Sequence, residues 1–149
     1  MSNKDQKIAV FSAKWHAPIV SSAEKSFIEE MVRRGYKKEN ITVMKVPGAL
    51  EIPLMGQKAL EGDYDLAVGI SFIVNGLIYR HDFVAQTVVD GIVNVGLKTG
   101  KPFLSVCLAP QAYSEVSKEN EDFFVNHFVL KGQEAAEGAD EMLELMAAA

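Results

Sequence analysis

Cysteine is nearly missing from this chain. Cys107 stands alone, which excludes an intrachain disulfide and fits a reducing cytoplasm. It lies inside the apolar run Phe103–Leu108, where a buried structural thiol is a better reading than a nucleophile. Runs of Lys or Arg are absent and the formal charge is −5, which argues against nucleic acid as a partner. Long hydrophobic runs are absent too. Leu66–Ile78 is broken by Ser71 and Asn75 and falls short of the ~20 residues a membrane span needs. The apolar part of MSNKDQKIAV is too short for a signal peptide. The expectation is a cytoplasmic protein with no membrane partner. Neither GxGxxG nor GxxxxGK[ST] occurs, which argues against a dinucleotide enzyme or a P-loop ATPase. GxSxG and HExxH are missing, and His16, His81 and His127 lack metal-ligand spacing.

What is present is the raw material of one domain, residues 1–149, with 48% apolar residues. The chain is organised around residues 66–84, LAVGISFIVNGLIYRHDFV. The run Leu66–Val74 suits a strand buried on both faces. It breaks at Asn75-Gly76, polar chemistry follows at Tyr79, Arg80, His81 and Asp82, and a new apolar period starts at Phe83. Strand, tight loop and helix start place unpartnered N–H groups and the positive helix end together, which favours an anion such as phosphate. An ordinary connecting loop fits the same residues.

Strands are also predicted over Lys7–Ala13, Ile41–Val46 and Phe103–Leu108. The first helix starts either around Pro18, where a missing N–H costs nothing, or at the capping-box pair Ser21 and Glu24. It ends at Gly35. Helices are predicted over Leu54–Glu61, Phe83–Leu97 and Leu130–Met146, while residues 111–130 show no strong period and Glu115–Asp122 reads as loop or short helix. The alternating order implies a parallel sheet with right-handed crossovers. The fold class is therefore α/β: a three-layer, doubly wound, flavodoxin-like domain with a four-stranded sheet of order 2-1-3-4. Ligands of such sheets sit beyond the carboxyl ends of the strands. Those ends are Lys14–His16, Pro47–Glu51, Val74–Asp82 and Ala109–Gln111. Trp15 can stack on a planar ring or cap the core. Glu51, between Pro47 and Pro53, can charge a helix start or receive N–H donors of a ligand.

The segments PGALEIP, GISFIVNG, YRHDFV and KGQEAA, with an aromatic just after the first strand, together resemble lumazine synthases from about Lys7 to Met146. Trp-His after the first strand and IYRHDF resemble the class that forms decamers from two pentamers rather than sixty-subunit shells. The resemblance implies condensation of 5-amino-6-(D-ribitylamino)uracil with 3,4-dihydroxy-2-butanone 4-phosphate, with no redox cofactor or metal required. By position, Trp15 stacks on the pyrimidine substrate, and Ala49, Leu50 and Glu51 line its ring and ribityl chain. Phe72, Ile73 and Val74 offer main-chain bonds to the ring. Gly76, Leu77 and Ile78 cradle the phosphate. Ser105 comes from a neighbouring subunit, and Lys131 is the lysine of the late KG motif. Arg80 and His81 are the catalytic candidates, Arg80 holding phosphate and His81 carrying a proton.

This sequence departs from the commoner family pattern in several places. Leu77, Ile78 and Tyr79 replace a threonine-bearing loop, Arg80 stands where histidine is usual, and Ser105 replaces an aromatic. The late phosphate arginine has no clean match, and Asn120 or His127 can fill its place. Two rivals follow: a lumazine- or flavin-binding protein of this fold without turnover, and a flavodoxin-like electron carrier, for which Lys14-Trp15-His16 is a poor phosphate loop. The shared site predicts a ring, and the Phe83–Leu97 helix, with Gly91 and Gly96 permitting close approach, is the candidate for packing around its axis.

Overall fold

The computed structural model describes residues 4–74, 80–110 and 117–149. Eight principal elements alternate: β1 (Ile8–Ala13), α1 (Ala17–Arg33), β2 (Ile41–Val46), α2 (Ile52–Glu61), β3 (Leu66–Phe72), α3 (His81–Thr99), β4 (Phe103–Leu108) and α4 (Lys118–Ala148). The strands form one parallel sheet in the order β2-β1-β3-β4. This is the expected flavodoxin-like, three-layer arrangement.

Burial follows that order. Every residue of β1 and β3 is buried, while β2 and β4 are mixed. Apolar runs take the centre, where helices cover both faces, and the less uniform strands take the edges. Successive side chains then divide between two cores. Val10, Val68 and Ile70 pack with α1 and α4, and Ala9, Phe11 and Ala67 pack with α2 and α3. Phe11, Phe27 and Phe128 are fully buried, each worth roughly 1.5–3 kcal/mol of apolar transfer. Among the described residues, no helix is long and apolar enough to cross a membrane.

One of the two expected starts of the first helix is met, and other boundaries differ from the expected ones. α1 starts at Ala17, with Pro18 in its first turn. Ser21 therefore lies within the helix, and Glu24 accepts hydrogen bonds from Ser12 Oγ and Lys45 Nζ, tying α1 to β1 and β2. α2 starts at Ile52 and is preceded by a single 3-10 turn, Ala49–Glu51. β3 ends at Phe72, although Ile73 N–H still donates to Leu108 O at 2.9 Å.

The largest correction is α4, which starts at Lys118 rather than Leu130. Ser117 Oγ caps it by accepting from Asn120 N at 3.1 Å, and Glu119 and Glu121 favour the positive end of its dipole. Phe124 and Phe128 lay its first turns against Phe72, at ring distances of 4.9 and 5.5 Å. Gly132, Ala136 and Ala139 then bring it against α1. A Cβ at Gly132 would stand 1.9 Å from Ser26 Oγ and 2.5 Å from Ala23 O. The glycine of the KGQEAA segment is thus required by helix-on-helix contact.

Candidate active site

A groove of about 500 Å³ opens beyond the carboxyl ends of β1 and β3. Its walls come from three local structures. The first is the β1–α1 connection. Lys14 N–H donates to Val46 O at 3.1 Å, and His16 takes a left-handed backbone, φ 56°, to turn the chain into α1. His16 O then accepts from Ile19 N and Val20 N. Trp15 lines the groove and is 70% exposed, so it does not cap the core. The His16 ring meets Phe72 edge-on at 5.4 Å.

The second wall is the turn before α2, which brings Ala49, Leu50 and Glu51 to the groove. Ile52 anchors this wall, being fully buried against Gly69 of β3. A Cβ at Gly69 would come within 2.5 Å of Ile52 Cγ2. The third wall is the end of β3 and the start of α3. Phe72, Ile73 and Val74 line it, as do Arg80 and His81. Arg80 precedes α3 with extended backbone, and His81 is the first helical residue. Arg80 Nη2 donates to Asp82 Oδ2 at 2.8 Å, and the guanidinium lies over Phe83, 4.4 Å from the ring centre. That hydrogen bond, followed by the partial opposition of burial, holds the Asp82 carboxyl below its ordinary range. An aromatic plate, a carboxylate, a cation and an imidazole thus line one groove, the last two at the start of α3, an arrangement suited to a flat polar ring with an anionic co-reactant.

The other candidates do not join this groove. Ser105 and Lys131 line a second groove of about 310 Å³, between the free edge of β4 and α4. There Lys131 Nζ pairs with Glu134 at 3.0 Å. Asn120 sits in the first turn of α4. His127 stacks on Phe123, with centroids 5.8 Å apart and planes at 7°. Neither lines either groove. Gly76, Leu77 and Ile78, the expected phosphate cradle, lie outside the described residues. Of the main-chain groups of Phe72, Ile73 and Val74 expected to bond the ring, the Ile73 N–H is engaged with Leu108 O.

Ala13, Ser71 and Val84 line the groove although nothing in the sequence singles them out, and His16 joins it from the Lys14–His16 stretch expected on the ligand side. His16 follows Trp15 directly, and Ser71 shares the strand face of Ile73 by its period of two. Cys107 is buried, and burial pushes its thiol up, with the Ser71 and Ser105 hydroxyls opposing. That environment suits a structural thiol. Among the described residues, no three His, Cys, Asp or Glu side chains gather in a metal-binding arrangement.

The family model for 6,7-dimethyl-8-ribityllumazine synthase matches residues 5–147. The chain belongs to that family. It is 44% identical to a 6,7-dimethyl-8-ribityllumazine synthase of Rhodococcus erythropolis over 136 residues, which is 91% of this chain and 87% of the relative. It is 41% identical to 6,7-dimethyl-8-ribityllumazine synthase 2 of Pseudomonas syringae pv. tomato, over 91% of this chain and 79% of that one. The synthase 2 of Bradyrhizobium diazoefficiens is 39% identical over 90% of this chain and 80% of its own. The lumazine synthase match runs through both grooves, from Trp15 to Lys131.

Proposed function

We propose that this protein, acting through a single domain over residues 1–149, is a transferase of riboflavin biosynthesis. It condenses 5-amino-6-(D-ribitylamino)uracil with 3,4-dihydroxy-2-butanone 4-phosphate to 6,7-dimethyl-8-ribityllumazine. The observation that carries this reading is the meeting of Trp15, Glu51, Arg80 and His81 around one groove in a chain of the lumazine synthase family. The ring amine of the pyrimidine attacks the ketone and water leaves to give an imine. Phosphate is then eliminated, and ring closure with loss of water gives the lumazine.

Holding two reactants in contact contributes much of the acceleration, because it removes the entropic cost of their encounter. Trp15 supplies the ring platform. Arg80 faces the departing phosphate and offsets its charge, as a guanidinium can bind an oxyanion but not act as a base. His81 is the proton carrier, since imidazole exchanges protons near neutral pH.

The working enzyme is a cytoplasmic ring, a pentamer in the first instance and a decamer of two pentamers in full. Two observations support assembly. Ser105 and Lys131 line a groove other than the one holding Trp15, so a neighbour's late segment is needed to bring both sets to one substrate pair. In addition, Phe83, Val93 and Leu97 of α3 are exposed, Leu97 at 79%, which leaves an apolar helix face for a heterologous, ring-closing contact. Gly91 and Gly96 do not serve that contact. A Cβ at Gly91 would meet Pro53, and one at Gly96 would meet Lys101 O, both within the same chain.

The test supplies both substrates to the purified protein and follows lumazine formation by absorbance and phosphate release. Saturable formation of lumazine and phosphate in equal amounts is the expected result. Binding of the lumazine without turnover would instead identify a non-catalytic binding protein.

A further inference from the structure

The groove holds a polar group to which the reaction scheme assigns no part. Ser71, on β3, lines the groove and is 1% exposed. Its Oγ is buried and has no hydrogen-bond partner among the described residues. The Cys107 thiol stands opposite Ser71 in the β3–β4 register and offers it only a weak sulfur contact. A hydroxyl in this position loses its hydration on folding and gains only that weak contact among the described residues, a cost of about 1–3 kcal/mol. Among buried serines the contrast is clear. Ser12 donates to Glu24, and Ser26 donates to Ala23 O at 3.2 Å.

Depth indicates what satisfies it. Trp15, mostly exposed, marks the mouth of the groove, and Ser71 marks its floor. Ser71 lies on the strand face that packs with α2 and α3, the face shared with Ile73. Glu51, at the start of α2, lines the same groove. A ring stacked on Trp15 leaves its substituent to reach inward, past Glu51, to the floor. The floor is walled by apolar side chains such as Ala13, Ile73 and Val84, so a polar group arriving there must match the hydroxyl it meets. A ligand hydroxyl matches it best, since each partner can donate as well as accept.

Resting on the function proposed above, we infer that Ser71 is a specificity-determining residue whose hydroxyl hydrogen-bonds a ribityl hydroxyl of the pyrimidine substrate. It selects the polyhydroxylated substituent and not the ring.

The experiment compares wild type with Ser71→Ala by calorimetric titration of two ligands: 6,7-dimethyl-8-ribityllumazine and the same ring carrying methyl in place of ribityl. Thermal unfolding of each unliganded protein is measured alongside. Ser71→Ala is expected to weaken the ribityl ligand about tenfold, the equivalent of one net hydrogen bond, and to leave the methyl ligand unchanged. The unliganded variant is expected to melt at or above the wild-type temperature, because its orphan hydroxyl is gone. Ser71→Cys, which keeps the volume with a weak donor, should fall between the two and serves if the alanine variant does not fold. Equal losses for both ligands, no loss for either, or a destabilised unliganded Ser71→Cys would each overturn the assignment. Wild type that binds neither ligand overturns the functional reading, and the Ser71 assignment with it.

Discussion

Arg80 donates to Asp82 at 2.8 Å across the start of α3, so a guanidinium is held beside the N-terminus of that helix, an end that favours an anion. The two features reinforce one another toward phosphate. Arg80→Ala is expected to raise the KM for the phosphorylated ketone about 10- to 100-fold, corresponding to a charged hydrogen bond of roughly 1.5–3 kcal/mol. Affinity for a pyrimidinedione analogue should stay within about twofold on the same scale. Steady-state kinetics and analogue titration check this. Equal losses toward both ligands would make Arg80 a structural residue.

Trp15 is the sole tryptophan and lies 70% exposed at the groove mouth. Trp15→Ala should cost about 1–3 kcal/mol of ring-ligand binding, as for bases stacked on aromatic side chains. In the wild type, tryptophan emission should be quenched as a lumazine saturates the site. Unchanged emission at saturation places the indole away from the ring.

Much of this architecture was legible from hydrophobic patterning. The apolar runs Ile8–Ala13 and Leu66–Phe72, each with one serine, form the central strands, and the alternation of elements implied a parallel sheet of flavodoxin-like type. The start of α4 was not legible. Its buried stripe passes from Phe124 and Phe128 to Gly132, Ala136 and Ala139, and glycine and alanine carry little hydrophobic signal even where a close helix contact depends on them. Ser71 was hidden for a related reason. It reads as an interruption of an apolar run, and only the assembled groove shows a buried hydroxyl with no strong partner among the described residues. Gly91 and Gly96 suggested a contact between subunits, but their close neighbours belong to their own chain. The separation of Lys131 from Trp15 follows from strand order, because β4 lies beyond β3 at the sheet edge.

Acid stability should depend on the carboxylates that tie α1 to α4. Arg34 donates to Glu30 at 2.9 Å and to Asp140 at 3.1 Å, and Tyr36 donates to Asp140 at 2.8 Å. Hydrogen bonding from Arg33, then from Arg34, lowers Glu30 from 4.5 to about 2. At Asp140 burial acts upward, but the Tyr36 and Arg34 bonds together outweigh it, and the carboxyl is lowered. Groups depressed on folding stabilise the protein fully above their unfolded values, and that contribution is lost as pH falls through the folded ones. The loss should therefore develop as pH drops from 4.5 to about 2. Asp140→Asn should cost about 1–2 kcal/mol at neutral pH, given its partial exposure, and the gap to wild type should close as pH falls below the ordinary carboxylate range and Asp140 protonates. Melting temperatures across pH check this. A gap independent of pH would remove the charge from the explanation.

Each catalytic centre is expected to join the Trp15 groove of one copy to the Lys131 groove of the next. Subunits carrying Trp15→Ala with Glu51→Ala, and subunits carrying Lys131→Ala, should each form rings with little activity. Unfolded together and reassembled in equal amounts, they should recover about one quarter of wild-type lumazine formation, the share of junctions in a randomly mixed ring that pair two intact halves. Rings shown to be mixed by mass and still inactive, or an active monomer, would contradict the claim.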